Sequence, residues 1–246
     1  MMKKKSKIRL YAGQELLAGL SWKLKESQAH YLLNVMKLDA GDSFLAFDGK
    51  NGEFECELAE VSKKSLCAKV LKKTRDFAAC PDIWLLFAPV KKDQTDFIIQ
   101  KAVELGCSVI QPVITMRTIA GKTKTERFVA QSIEACEQCR RVDLPEIREA
   151  QPLGRIIETW DKSRILYFMD ETGAGTDVVR AFDPKAESAA VLIGPEGGFS
   201  PEELEILRKK DFAAGVSLGG RILRAETAVA AALSCWQALV GDWKRS

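Results

Sequence analysis

Two short, uninterrupted apolar runs, Ile83-Trp-Leu-Leu-Phe-Ala88 and Ala189-Ala-Val-Leu-Ile193, constrain this chain more than any other feature. A strand wetted on one face alternates polar and apolar residues, whereas a strand covered on both faces does not. These runs therefore predict parallel strands buried on both sides. The segments around them alternate in type. Helical periodicity over Thr95–Leu105 closes at Gly106, a strand follows at Val109-Ile-Gln-Pro-Val113, and a helix covers Glu126–Arg141. Arg164–Met169 and Ala213–Leu218 add strands, and Pro201–Lys210 and Ala225–Val240 add helices. Such alternation predicts an open α/β domain with a parallel sheet.

The first 73 residues follow another pattern. Phe44-Leu-Ala-Phe-Asp48 and Glu53-Phe-Glu-Cys-Glu-Leu58 flank the turn Gly49-Lys-Asn-Gly52, and Ser65–Leu71 supplies a further strand. Phe54, Cys56 and Leu58 should face a core, with Glu53, Glu55 and Glu57 wet. With a helix near Glu26–Met36, these short strands predict a small β-barrel over residues 1–73. The linker Lys72–Pro81 separates it from an α/β domain over 74–246. The formal net charge is +3, but basic residues gather in the first 75 positions and the remainder is net acidic. That split fits a front module drawn to a polyanion, and equally a lysine-rich solvated face.

Several function classes lose their footing here. His30 is the only histidine, so a Ser-His-Asp triad or a histidine metal site would have to use it. It heads an apolar-periodic stretch where packing or capping is the expected role. The seven cysteines are odd in number and mostly sit in apolar stretches, which suits reduced thiols. The pair Cys136-Glu-Gln-Cys139 lacks the second pair a structural zinc site needs, so no metal is expected. No apolar run approaches the roughly 20 residues of a membrane span. The basic start Met1–Lys7 leads into Ile8-Arg-Leu-Tyr11 and not into an apolar signal core, so a cytoplasmic location is expected.

The chemistry concentrates in two glycine-bearing segments. Gly194-Pro-Glu-Gly-Gly198 ends the run Ala189–Ile193, and Ser200-Pro-Glu-Glu203 carries an N-cap, a proline for the first helical turn and a capping box. The glycines thus lie in a tight loop at the carboxyl end of a buried strand, where open α/β sheets bind ligands. Glycine lets backbone groups approach a ligand closely. A phosphate loop is opposed by Glu196 and by the missing Gly-x-x-x-x-Gly-Lys-Ser/Thr pattern. Leu218-Gly-Gly-Arg-Ile-Leu-Arg-Ala-Glu-Thr-Ala228 repeats the logic: strand, glycine turn, basic–apolar loop, alanine-rich helix. Arg224 and Glu226 could equally be a plain surface pair, worth under about 1 kcal/mol.

Together these motifs resemble the 16S rRNA uridine-N3 methyltransferase family within the SPOUT superfamily. Lys101-Ala-Val-Glu-Leu-Gly106 with Pro112 and Arg117, and Glu134-Ala-Cys-Glu-Gln138 with Arg141 and Pro145, extend the resemblance. His30, Asn34-Val-Met-Lys-Leu38, Gly41-Asp42 and Phe47-Asp-Gly49 are similar to its PUA-like barrel, so nearly the whole chain is covered. Two positions depart from the pattern: Met36-Lys37 stands where Leu-Arg is usual, and Arg140 where glycine is common.

The resemblance implies a SPOUT domain whose C-terminal strands and helix form a deep trefoil knot. It implies S-adenosylmethionine as methyl donor, held by Gly194, Glu196, Gly197, Gly198, Leu218, Gly219, Ile222, Leu223 and Ala225. The acceptor would be N3 of one uridine in the decoding region of 16S ribosomal RNA, free or in the small ribosomal subunit. Arg221 and Arg224 would favour the uridine anion, with Glu226 or Glu196 as proton acceptor; Glu226 could instead hold an arginine in place. Arg9, Lys23, Lys25, Lys37, Arg117 and Arg141 would bind RNA, and the protein would be a homodimer packed near its last helix. The residues leave open a SPOUT enzyme for another RNA or base, or a non-catalytic ribosome-assembly factor.

Overall fold

The computed structural model describes residues 5–59, 66–119 and 124–243; the Met1–Lys4 tail and Ser65 of the expected strand lie outside them. The chain forms two compact units. One comprises residues 1–79 with 136–144, the other 80–135 with 145–246.

In the first unit, β1 (Lys5–Tyr11), β2 (Ser21–Lys23), α1 (Glu26–His30), β3 (Ser43–Phe47), β4 (Glu53–Leu58) and β5 (Cys67–Arg75) follow in order. The strands pair as β1-β3-β4-β5-β2. β1 runs parallel to β3 and the other pairs are antiparallel. Trp22, Leu32, Phe44, Phe54, Cys56 and Leu58 share one core. The helix expected near Glu26–Met36 is α1 continued by a π-helical turn over Tyr31–Val35. His30 ends α1 with an exposed side chain, correcting the expectation that it packs or caps. Glu53 also differs from its expected wet position. It is buried because the Arg9 guanidinium meets it at 2.6 Å.

The second unit contains β6 (Asp82–Phe87), α2 (Lys92–Glu104), β7 (Val109–Ile114), α3 (Thr125–Cys139), β8 (Glu146–Ile147), β9 (Gln151–Pro152) and α4 (Leu153–Glu158). The last four residues of α3 are assigned to the first unit. Then come β10 (Ile165–Met169), β11 (Thr176–Asp177), α5 (Val178–Ala181), β12 (Ser188–Ile193), α6 (Pro201–Arg208), β13 (Ala213–Ser217) and α7 (Ala225–Leu239). The sheet order is β11-β13-β10-β12-β6-β7-β8, with β9 beside β7. All its pairs are parallel, as the apolar runs require. Ile83, Leu85, Leu86 and Phe87 on β6 and Ala189–Ile193 on β12 are buried on both faces. None of the seven cysteines is in a disulfide. Burial pushes the Cys56 and Cys136 thiols up to about 12, so both stay protonated at neutral pH. No helix among the described residues is long and apolar enough to cross a membrane.

Candidate functional site

Because β6, β7, β10, β12 and β13 run parallel, their following loops leave the sheet at one edge. The loop after β12 starts at Gly194 and turns at Gly198, whose N–H donates to the Pro195 carbonyl at 2.8 Å. Gly198 has φ +67°, and a Cβ there would run into the Glu171 carboxylate. Glycine is thus required twice over, by backbone and by space. Glu196 and Gly197 are exposed on the same turn.

The capping box read from the sequence forms as expected. Ser200 Oγ accepts from the Glu203 N–H at 3.1 Å, and Glu203 Oε2 accepts from the Ser200 N–H at 2.9 Å. Glu203 has a second task the sequence did not reveal. Its Oε1 accepts from the Met116 N–H at 2.8 Å, tying the turn after β7 to the start of α6. From that turn Arg117 Nη1 donates to the carbonyls of Gly197 at 2.8 Å and Phe199 at 3.3 Å. Arg117, expected on the RNA, therefore commits one nitrogen to the glycine loop.

A third loop, missed from the sequence, follows β10, which lies between β12 and β13. Asp170 is buried at its start. Its Oδ1 accepts from the Thr172 hydroxyl at 2.6 Å and N–H at 3.0 Å, and its Oδ2 accepts from Arg208 Nη2 at 2.7 Å. Burial raises the Asp170 pKa, but the hydrogen bonds from Thr172 and Arg208 outweigh it and hold the carboxyl below its ordinary range. This anchor sets Glu171 against Gly198. At the other end of the loop, a Cβ on Gly175 would meet the backbone of Gly215, Val216 and Ser217 within 2.8–2.9 Å. A sequence signal was available: an acid directly after a strand, then Thr172-Gly-Ala-Gly175.

The second expected segment leaves β13 at the same edge. Gly219 turns the chain at φ +99°; Leu218 and Leu223 are half-buried, Arg221 and Arg224 exposed, and Ile222 is 88% exposed. Arg224 occupies the N-cap of α7, Ala225 is buried behind it, and Glu226 is half-buried in the first turn. No ion pair joins Arg224 to Glu226 among the described residues. The surface-pair reading of those two residues therefore falls away.

The cations expected on RNA separate into two kinds within the first unit. Lys23, Lys25 and Lys37 are exposed. Arg9 and Arg141 are buried, which corrects the expectation that they grip phosphate. Arg9 donates from Nη1 to the Cys136 carbonyl and from Nη2 to the Arg141 carbonyl, both at 2.7 Å, with Nε on Glu53. Its guanidinium also lies 3.9 Å over the Phe47 ring. Arg141 makes a two-pronged pair with Asp143 at 2.9 and 2.7 Å. Composition cannot separate a guanidinium that meets solvent from one that holds carbonyls together.

Known proteins share this arrangement. Residues 78–237 match the RNA methyltransferase domain and residues 24–71 the RNA methyltransferase PUA domain. Ribosomal RNA small subunit methyltransferase E of Bacillus subtilis is 30% identical over 237 residues, covering 90% of this chain and 91% of its own. The same-named enzyme of Neisseria gonorrhoeae, solved bound to S-adenosyl methionine, matches with TM-score 0.88 and 28% identity, over 97% of this chain and all of its own. A Legionella pneumophila methyltransferase solved with the bound cofactor SAM matches at TM-score 0.88 and 30% identity, over 96% and 99% of the two chains. The chain belongs to the ribosomal RNA small subunit methyltransferase E family, with an RNA methyltransferase domain behind an RNA methyltransferase PUA domain.

Proposed function

We propose that this chain methylates N3 of a uridine in the decoding region of 16S ribosomal RNA, using S-adenosylmethionine. The observation that carries the reading is the gathering of both glycine segments at one carboxyl edge, on the strands either side of β10. The relatives with TM-score 0.88 that were solved with S-adenosylmethionine support it. The fit is physical as well. Gly197 is exposed, and its Cβ position meets no protein atom nearer than 3.7 Å, so the loop presents bare backbone outward. Gly194, Glu196, Gly197, Gly198, Leu218, Gly219, Ile222, Leu223 and Ala225 would hold the donor. When bound, it supplies a methyl group activated by a positive sulfonium.

The chain's own part is to prepare the acceptor. N3 of uridine carries an imide proton at neutral pH, and the reaction needs that proton removed. Arg221 and Arg224, exposed and in no ion pair among the described residues, stabilise the negative charge that develops as it leaves. Glu226, half-buried in the first turn of α7, accepts the proton. Lys23, Lys25 and Lys37 bind phosphate and set register without reading bases.

The same reading takes residues 1–73 as the RNA-binding module and 74–246 as the methyltransferase domain, in a cytoplasmic homodimer joined near α7. It also takes the C-terminal segment as a trefoil knot. In support, the chain from β10 to β11 passes from one side of β13 to the other, crossing its backbone at Gly175.

Calorimetry should show S-adenosylmethionine binding, and ribosomal RNA from a deletion strain should lack 3-methyluridine at one decoding-region site by mass spectrometry. Unchanged 3-methyluridine would sink the uridine assignment. No cofactor binding would favour an assembly factor.

A further inference from the structure

Among the described residues only two that are not glycine have a positive φ, Lys37 at 55° and Arg140 at 66°. Both are basic and exposed, and both belong to the first unit. In this region an L-residue sets its Cβ against a carbonyl oxygen, a strain glycine does not feel. Strain retained at a surface position directs attention to what the side chain does.

At Arg140 the surroundings force the backbone into that shape. Its N–H donates to the Cys136 carbonyl at 3.1 Å, and its own carbonyl accepts from Arg75 Nη1 at 2.7 Å. The next carbonyl, of Arg141, takes Nη2 of the buried Arg9 at 2.7 Å, while the Arg141 guanidinium is turned onto Asp143. Arg9, Arg75 and Arg141 are thus spent on fixing the segment. The Arg140 side chain makes no hydrogen bond or ion pair among the described residues. The neighbouring cation Arg75 is about half exposed and lies 3.9 Å from Glu53, a carboxylate already paired with Arg9 at 2.6 Å. Lys72 and Lys73, on the same strand as Arg75, are exposed and engage Glu55 at 3.6 Å and Asp76 at 3.2 Å. The uncommitted guanidinium at this spot is that of Arg140, with Arg75 holding its carbonyl. A guanidinium on a stiff backbone, with its planar set of donors uncommitted, suits a phosphate group.

We propose that Arg140, buttressed by Arg75, is a phosphate-contacting residue of the RNA surface, kept at the expense of backbone strain. This rests on the RNA methyltransferase reading and adds a contact outside the lysines Lys23, Lys25 and Lys37. The strain and the contact make opposite predictions for one substitution, which is what allows a test.

Filter binding of transcribed small-subunit ribosomal RNA to the full chain, between about 50 and 200 mM salt, is compared for wild type, R140G, R140A and R140K. Thermal unfolding is recorded in parallel. R140G should unfold at a higher temperature than wild type, yet bind RNA about threefold or more weakly. Its log–log salt dependence should be shallower by about 0.7–0.9, one phosphate contact. R140A should lose the same affinity without the gain in stability, and R140K should keep the salt slope. Wild-type affinity and slope in both R140G and R140A would overturn the proposal while leaving the methyltransferase reading standing. A wild-type chain that binds no RNA would overturn both.

Discussion

Arg117 reaches across 80 positions of sequence to donate to the Gly197 carbonyl at 2.8 Å, so the turn after β7 holds the glycine loop after β12 from outside. The bond is exposed and charge-assisted, worth about 1 kcal/mol. Arg117→Ala should leave the unfolding midpoint nearly unchanged and weaken S-adenosylmethionine binding about fivefold by calorimetry. An unaltered affinity would show that the loop keeps its shape unaided.

Neighbouring glycines of that loop should respond differently. Gly197 has room for a methyl group and no positive φ, so Gly197→Ala should fold with wild-type stability and still lose cofactor affinity. At Gly198 the φ of +67° makes alanine cost about 1–2 kcal/mol, and the new methyl displaces Glu171. Thermal unfolding and titration calorimetry separate the two. Full affinity in Gly197→Ala would mean that the donor does not touch this backbone.

Asp170 gives a pH dependence with a definite sign. Its folded pKa lies below the unfolded value of 3.8, so its contribution is present in full above that value and disappears as pH falls through the folded pKa. Asp170→Asn should therefore be less stable than wild type at neutral pH, by about 2 kcal/mol. The gap should narrow on acidification below about pH 4 in urea titrations. A gap independent of pH would mean that the Arg208 contact does not depend on the charge.

For the first unit, Arg9→Ala should cost about 3 kcal/mol, because it removes the close partner of the buried Glu53, leaving Arg75 at 3.9 Å, and frees two carbonyls. Charge reversal at Lys23 and Lys25 should do the opposite: little change in stability, weaker RNA binding and a flatter salt dependence. If Arg9→Ala unfolded no more readily than wild type, the buried pair would not be holding the segment around Cys136.

The strands of the second unit were legible because burial on both faces leaves a periodicity signal, and β6, β10, β12 and β13 fall within a residue or so of their expected limits. Ser200, Pro201 and Glu203 likewise announced the start of α6, since a capping box is local chemistry. What was not legible was non-local. The two-residue strands β8, β9 and β11 take their identity from partners far along the chain, and strand order brings in the loop at Asp170. The split among the arginines was hidden for the same reason. Arg9 is buried by carbonyls of residues 136 and 141, which no window around residue 9 contains. At Arg140, the glycine that the family resemblance leads one to expect and the φ of 66° point to one cause, a turn that L-residues enter under strain.

The position of β13 also bears on the order of events during synthesis. β10 and β11 are made first, yet the strand that lies between them arrives nearly forty residues after β11. Until it docks, the two have no backbone pairing on their facing sides, and the segment leading to Arg221, Arg224 and Glu226 has no fixed origin. Such late, long-range closure is slow compared with local helix formation. On the proposed function, a nascent chain therefore gains the segment carrying Arg221, Arg224 and Glu226 only as β13 and α7 are added, and its acceptor chemistry should be the last part of the molecule to form.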